Sequence, residues 1–284
     1  MPMTMQGSEG GLGMLALAYA TSCLGCLLGL SAMARARSTT GGVRARWLGL
    51  GAVSIGGAGI WAMHFIAMLG FTVVGSQVRY NVPLTFASLL VAIGVVGVGV
   101  FVVTQGDGRP APLLAGGLFT GLGVAAMHYL GMAAVRVSGQ IHYAPWDVGA
   151  SVVIATIAAT AALWASLSIR NPLATLGASL VMGVAVSAMH YVGMSAVRVH
   201  VDPGAPPPSG ATAMEFVFPL TVGLGSYLFL TAAYVGLSDG ARPSPAAAPA
   251  PSARVPAPAP VPRQAPPVPA AAAAHRPLAE GPIR

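Results

Sequence analysis

Most of this chain is made of apolar runs, each near the ~20 residues that a membrane-spanning helix needs, joined by short connections. Seven can be marked, at residues 11–34, 47–71, 84–104, 113–135, 148–168, 173–197 and 216–237. A bilayer core offers no water to pair with backbone N–H and C=O groups, so each run has to be a helix. The expected fold is an all-α membrane protein with seven transmembrane helices: three two-helix repeats, a final helix and a tail. Charge supports this. Only 7% of the 284 residues are Asp, Glu, Lys or Arg, against about 25% in a soluble domain. Pro83, Pro110, Pro112, Pro145, Pro172 and Pro219 stand at or near span starts, where a missing N–H costs least.

The positive charge is all arginine: 14 residues against 7 acids. In a soluble chain that balance would point to nucleic acid. Here the arginines fall between spans, so they speak for orientation and not for a nucleic-acid partner. Arg35, Arg37, Arg44, Arg46, Arg109 and Arg170 lie in connections on one side, as do the tail arginines; Arg79, Arg136 and Arg198 lie on the other. The bias predicts an outside N-terminus and a cytoplasmic C-terminus, in a multi-pass protein of the bacterial inner (plasma) membrane. Residues 1–10 lack the positive charge of a signal peptide and are expected as a short extracellular segment. The spans occupy 11–237. Residues 238–284 are Pro- and Ala-rich and bury too little to order, so they are expected as a disordered cytoplasmic tail. The loop 202–213 is similar in composition and is expected to be mobile.

One phrase recurs in the second, fourth and sixth spans: Met63-His64-Phe65-Ile66-Ala67-Met68, Met127-His128-Tyr129-Leu130-Gly131-Met132 and Met189-His190-Tyr191-Val192-Gly193-Met194. Each copy puts a histidine near the outer end of its span. Residues i and i+4 share a helix face, so His64 pairs with Met68, His128 with Met132 and His190 with Met194. Met63, Met127 and Met189 lie on the flank. Imidazole and thioether together suit copper, above all Cu(I). No Asp or Glu falls inside the seven runs, which removes the carboxylates of a proton relay. The bland alternative is a histidine hydrogen-bonded to a neighbouring helix and a methionine filling a gap. Threefold repetition weighs against it, since packing alone does not require histidine in every copy. The glycine at i+3, Gly131 or Gly193, is expected to let another helix come close, with Ala67 standing there in the first copy.

This motif set resembles the MHYT family of bacterial membrane sensor domains over about residues 11–237. The resemblance implies seven-span units with three Met-His-Tyr-type motifs near the outer face. It implies a copper site built from those His and Met residues, and sensing of oxygen, carbon monoxide or nitric oxide. By the match, His64, Met68, His128, Met132, His190 and Met194 are the metal ligands, with Met63, Met127, Met189, Tyr129 and Tyr191 secondary. The first copy departs from the motif: Phe65 replaces Tyr, so it has no hydroxyl to offer as Tyr129 or Tyr191 has, and Ala67 replaces Gly. Many family members continue into a cyclic-dinucleotide enzyme domain. Here a low-complexity tail follows, so output is expected through a signalling partner at the 35–46 loop or the tail.

The remaining residues give less. Cys23 and Cys26 share a face of the first span, where free cysteine is mostly a small hydrophobe. Gly25 with Gly29 and Gly117 with Gly121 have the spacing of close helix packing. Trp47, Trp61, Tyr80, Tyr143 and Trp146 are expected in an interfacial belt, Arg136 and Arg198 as snorkelling anchors, and His142 and His200 as solvated loop residues. No nucleotide loop, catalytic triad or paired-carboxylate site occurs, so no enzyme is expected. The readings that compete with a sensor are a copper carrier or permease and a metal-containing oxidoreductase subunit. The inner halves of the histidine spans offer no second Met/His layer in this reading, which counts against the carrier.

Overall fold

The computed structural model describes residues 8–106 and 109–240. Its helices are α1 (Ser8–Ala36), α2 (Gly41–Ala52), α3 (Met63–Met68), α4 (Val82–Gln105), α5 (Pro110–Ala133), α6 (Pro145–Ser168), α7 (Pro172–Ser195) and α8 (Ala213–Gly240). A π-helical stretch, Val53–Ala62, joins α2 to α3, so the three form one rod from Gly41 to Met68. Among the described residues, six rods are long and apolar enough to cross a membrane, and α8 carries a shorter apolar stretch, Val222–Leu237. The protein is thus an all-α multi-pass membrane protein.

Helices start before their apolar runs because local chemistry starts them. Pro occupies the first turn of α4, α5, α6 and α7. The side chains of Asn81 and Asn171 accept from the N–H of Leu84 and Leu173, pairing a donor that would otherwise be orphaned. Thr212 and Glu215 form a reciprocal capping box at the start of α8. These earlier starts bring Asp147 and Glu215 into the first turns of α6 and α8, so the spans are not wholly free of carboxylates. The rod of the first histidine begins at Gly41, earlier than the run at 47. The other ends differ too: α1 already includes residues 8–10, and α8 reaches Gly240, into the expected tail. Residues 241–284 lie outside the described residues.

The helices close a ring in sequence order. α1 packs on the π stretch, that rod on α4, α4 on α5, α5 on α6, α6 on α7, and α7 returns to α1. α8 lies against α1 and the π stretch. The three histidine rods alternate with α1, α4 and α6. In a bilayer, moving apolar surface from lipid to protein gains little, so close packing and hydrogen bonds hold such a ring. A Cβ on Gly121 would sit 2.7 Å from the Thr156 backbone nitrogen, so only glycine lets α5 and α6 meet there. Gly25, Gly29 and Gly117 face neighbouring helices equally closely. Both cysteines are small packing groups: Cys26 is fully buried, and a Cβ on Gly183 would stand 2.5 Å from Cys23 Sγ. Ser22 Oγ donates to Gly59 O at 2.7 Å and Tyr19 OH to Leu180 O at 3.4 Å, tying α1 to both flanks.

One end of the ring carries short strands that the apolar pattern did not reveal. β1 (Arg79–Tyr80) pairs with β2 (Val135–Arg136), and β3 (Gly139–Tyr143) pairs with β4 (Val197–Val201), both antiparallel. Ile141, Tyr143 and Val199 pack on the core, while His142, Arg198 and His200 are exposed. The 202–213 loop is pinned at both ends: Asp202 N donates to Ser138 O, and Tyr80 and Ala211 exchange backbone hydrogen bonds of 2.9 and 3.0 Å. Arg136 and Arg198 belong to strands, and Arg198 donates to Ser195 O at the end of α7. The interfacial belt does not form as expected. Trp47, Trp61 and Tyr80 are buried, whereas Trp146, exposed in the first turn of α6, keeps a position compatible with a belt. At the other end, Arg35 donates to Val235 O at 2.8 Å, and Arg37 donates to Ser166 O and Ile169 O. The last carbonyls of α6 thus gain a cationic cap.

Candidate metal centre

The three repeated histidines meet. α3, α5 and α7 each end shortly after the histidine, at Met68, Ala133 and Ser195, so all three sit roughly 6–8 Å below the strand end by the helical rise. His64 Nδ1 lies 3.0 Å from His190 Nδ1 and 3.1 Å from His128 Nδ1. The rings stand edge to face, with His128 and His190 centroids 5.2 Å apart. All three side chains are buried. Among the described residues they form the single His/Cys/Asp/Glu group whose ligand atoms converge, all within 4.8 Å.

Hydrogen bonding alone does not account for this. An imidazole Nδ1 carries either one hydrogen or one lone pair. His64 Nδ1 faces two partners, and one two-centre bond serves one of them. A metal ion answers all three lone pairs at once. Three nitrogens held at ~2.0 Å around a tetrahedral ion lie about 3.3 Å apart, close to the 3.0 and 3.1 Å of the two pairs that His64 makes, with all the ligand atoms within 4.8 Å. The residues present therefore fit a three-histidine metal site of uncharged ligands, which suits a soft or borderline ion.

The far side of each ring explains the motif's glycine. A Cβ on Gly131 would come within 2.5 Å of His64 Nε2, and one on Gly193 within 2.5 Å of His128 Nε2. What the glycine admits is the previous copy's imidazole. His64 Nε2 and His128 Nε2 meet no hydrogen-bond partner among the described residues. Metal-bound histidines commonly donate that N–H to an acceptor; here packing holds the rings, with Phe65 and Tyr129 edge-on at 4.7 and 4.9 Å.

The other motif residues take distinct places. Met68, Met132 and Met194 are buried in the main core cluster, on the faces of their histidines by spacing. Met127 and Met189 belong to that cluster, and Met63 packs instead with Ala18 and Ile66. The Tyr129 hydroxyl reaches outward to Ser151 Oγ on α6, at 2.8 Å. Tyr191 stacks edge-on against His190. In the first copy Trp61 Nε1 donates to Ser88 Oγ at 3.0 Å and to Thr85 O. Ser88 and Ser151 are equivalent, each seven residues past its helix N-cap. Tyr80, missed as a site neighbour, donates to Met68 O at 3.1 Å, and burial pushes its phenol up to about 12, so it remains a donor.

Below the triad lies an apolar cavity of about 60 Å³. Met189 adjoins His190 at its top, and Ile60 and Val124 lie one turn below His64 and His128. Met33 and Met182 also line it. The expectation that the inner half lacks a second methionine layer is therefore incorrect: Met182 sits on α7, well below its histidine.

A family model described as "Bacterial signalling protein N terminal repeat", MHYT, matches residues 57–116, 121–179 and 183–238. The chain is 42% identical over 157 residues to the bifunctional diguanylate cyclase/cyclic di-GMP phosphodiesterase MucR of Pseudomonas aeruginosa, covering 54% of this chain and 23% of that one. It is 36% identical over 199 residues to the cyclic di-GMP phosphodiesterase NbdA of the same organism, covering 68% and 25%. To a signalling protein of Caulobacter vibrioides it is 35% identical over 202 residues, covering 70% and 24%. The chain thus spans about a quarter of the length of these curated relatives. No solved structure matches. Three matched repeats, each bringing its histidine to one centre, place this chain in the MHYT family of bacterial signalling proteins.

Proposed function

We propose that this protein is a membrane signalling sensor whose three histidines hold copper, and that a diatomic gas (oxygen, carbon monoxide or nitric oxide) or a redox change at that centre is the signal. The observation that carries the reading is the convergence of three buried Nδ1 atoms at 3.0 and 3.1 Å without a carboxylate among them. Met68, Met132 and Met194, on the faces of their histidines, are the candidate thioethers for the one position that three histidines leave on a tetrahedral ion, and a thioether there favours Cu(I). The arginine bias places the triad end outside and the C-terminus in the cytoplasm. Two relatives are named as cyclic di-GMP enzymes; for this chain, output passes to a signalling partner at the 35–46 loop or the tail, and the membrane part itself does no catalysis.

Copper analysis of purified protein tests this. His128→Ala and His190→Ala abolish bound copper, whereas Cys23→Ser with Cys26→Ser leaves it. CO or NO shifts the spectrum of the copper-loaded protein, and Met132→Leu or Met194→Leu weakens that shift. Equal copper loss in the cysteine variant overturns the assignment.

Met33, Met182 and Met189 along the cavity favour a second reading, a copper carrier. Proteoliposomes separate the two. A sensor binds copper without accumulating it; luminal uptake that His128→Ala abolishes establishes the carrier.

A further inference from the structure

We propose that the cavity beneath the triad is a binding site for a small apolar molecule of diatomic size, entered from the bilayer between α6 and α7. Its volume of about 60 Å³ is several times the ~10–15 Å³ that admits a single water. Water needs two to four polar partners to remain in such a space, and this one offers almost none. Thr120 and Ser166 are its polar side chains. Ser166 Oγ donates to Leu163 O at 2.7 Å, and Thr120 Oγ1 points to Val95 O at 3.4 Å. An apolar chamber with satisfied hydroxyls stays dry and takes apolar guests.

The route follows from burial. Most of the lining is buried, and its half-buried members are Ala158 and Ala162 on α6 and Ala185 and Val186 on α7. Val186 also packs toward Ala18, Met63 and Ile66, so the α6–α7 seam is left to three alanines, Ala158, Ala162 and Ala185, and is thin where it meets lipid. An apolar solute concentrates in hydrocarbon before it meets this seam, and from the chamber it reaches the underside of the histidines past Met189. The identity of the physiological guest as a diatomic gas rests on the sensor reading above; the existence of the site does not.

Xenon is the probe, applied under pressure to crystals of the full chain, with anomalous scattering as the readout. Xenon is expected between Met182, Val124 and Ala159. Ala159→Leu fills the chamber and removes it, and Ala185→Phe at the seam slows xenon entry as followed by 129Xe NMR in nanodiscs. Ala159→Val, a smaller change, keeps the measurement open if the Leu variant does not fold, and lowers xenon occupancy without abolishing it. Wild-type crystals with no xenon at this place, or with ordered water there, overturn the proposal, as does undiminished xenon in a folded Ala159→Leu. The two readings fail separately. Xenon bound without any CO effect on the copper spectrum removes the gas-sensing function and leaves the site. A CO effect that is unchanged when Ala159→Leu has closed the chamber removes the chamber's role in delivery and leaves the sensor.

Discussion

The first histidine rod and the other two reach the same centre by different constructions. α5 and α7 are uninterrupted α-helices with Gly at i+3 and Tyr after the histidine. The first rod passes through the π-helical stretch Val53–Ala62 just before its histidine, and has Phe65 and Ala67 in those places. A π segment is rare and frequently marks a functional site; by widening the helix it changes the direction in which the residues beyond it point. The hydrogen bond to the next helix survives by exchange. In the second copy Tyr129 reaches Ser151, with Ala125 one turn earlier. In the first, Trp61 one turn before Phe65 reaches the equivalent Ser88. A Trp–Phe pair thus replaces an Ala–Tyr pair, with one donor kept. The third copy has neither arrangement: counted from Thr212, Pro219 takes the serine's place in α8. A site with threefold histidines need not have threefold walls.

The strongest way to break this comparison is Trp61→Ala. It empties a buried indole site and removes the hydrogen bonds to Thr85 O and Ser88 Oγ, at a cost of about 3–5 kcal/mol, seen as a lower unfolding midpoint in detergent. The double variant Trp61→Ala with Phe65→Tyr copies the second repeat and is expected to recover part of the loss through a Tyr–Ser88 bond. No recovery would mean that the two walls are not equivalent.

Gly193→Ala and Gly131→Ala come next. Each places a Cβ within 2.5 Å of an imidazole, and overpacking of this kind costs about 1–3 kcal/mol. Because the displaced ring is a histidine of the triad, any metal affinity of the centre is expected to fall along with stability. Methyl groups tolerated at both positions would show that the rings have slack.

Phe65→Tyr alone adds a hydroxyl where Trp61 already uses Ser88. Phe65 is fully buried, so an unpaired hydroxyl costs about 1–3 kcal/mol, at the lower end if Ser88 is shared. Smallest is Tyr129→Phe, which makes the second wall resemble the first without its tryptophan. Interhelical hydrogen bonds in membranes average about 0.6 kcal/mol, and Ser151 keeps its bond to Val148 O. A loss above that of Phe65→Tyr would reverse the ranking.

The helices and the three histidines were legible in the sequence because each has a one-dimensional signature, a run of apolar residues or a repeated phrase. What the histidines do to each other was only partly legible. The i+3 glycine was read as room for a helix, and it is room for an imidazole of the preceding copy, a relation between residues 65 and 67 positions apart that no local pattern carries. The π stretch has ordinary apolar composition, so nothing in it signals the change of pitch. The strands escaped because β1 and β2 have two residues each, and both strand pairs form across two intervening spans. Trp47 and Trp61 were assigned to a belt from their distance to span ends, whereas α1 and α8 cover Trp47 and α4 takes the Trp61 indole N–H. Met182 was overlooked because it lies outside the phrase, and only the folded ring sets it beneath the histidines.

α1 stands outside the matched repeats, yet it closes the ring between the first histidine rod and α7. That placement has a consequence in time. Ser22 can meet Gly59 soon after α1 is made, since the two are 37 residues apart. The Leu180 carbonyl that Tyr19 binds comes 161 residues after it. At the ~5–20 residues per second of synthesis, that is on the order of ten seconds or more. Throughout that interval the Tyr19 face of α1 is turned to lipid or to the insertion machinery. During biosynthesis the first helix is therefore a half-occupied template that waits for the sixth. A chain arrested before α7 would display this open flank, where a chaperone or a second nascent copy could bind.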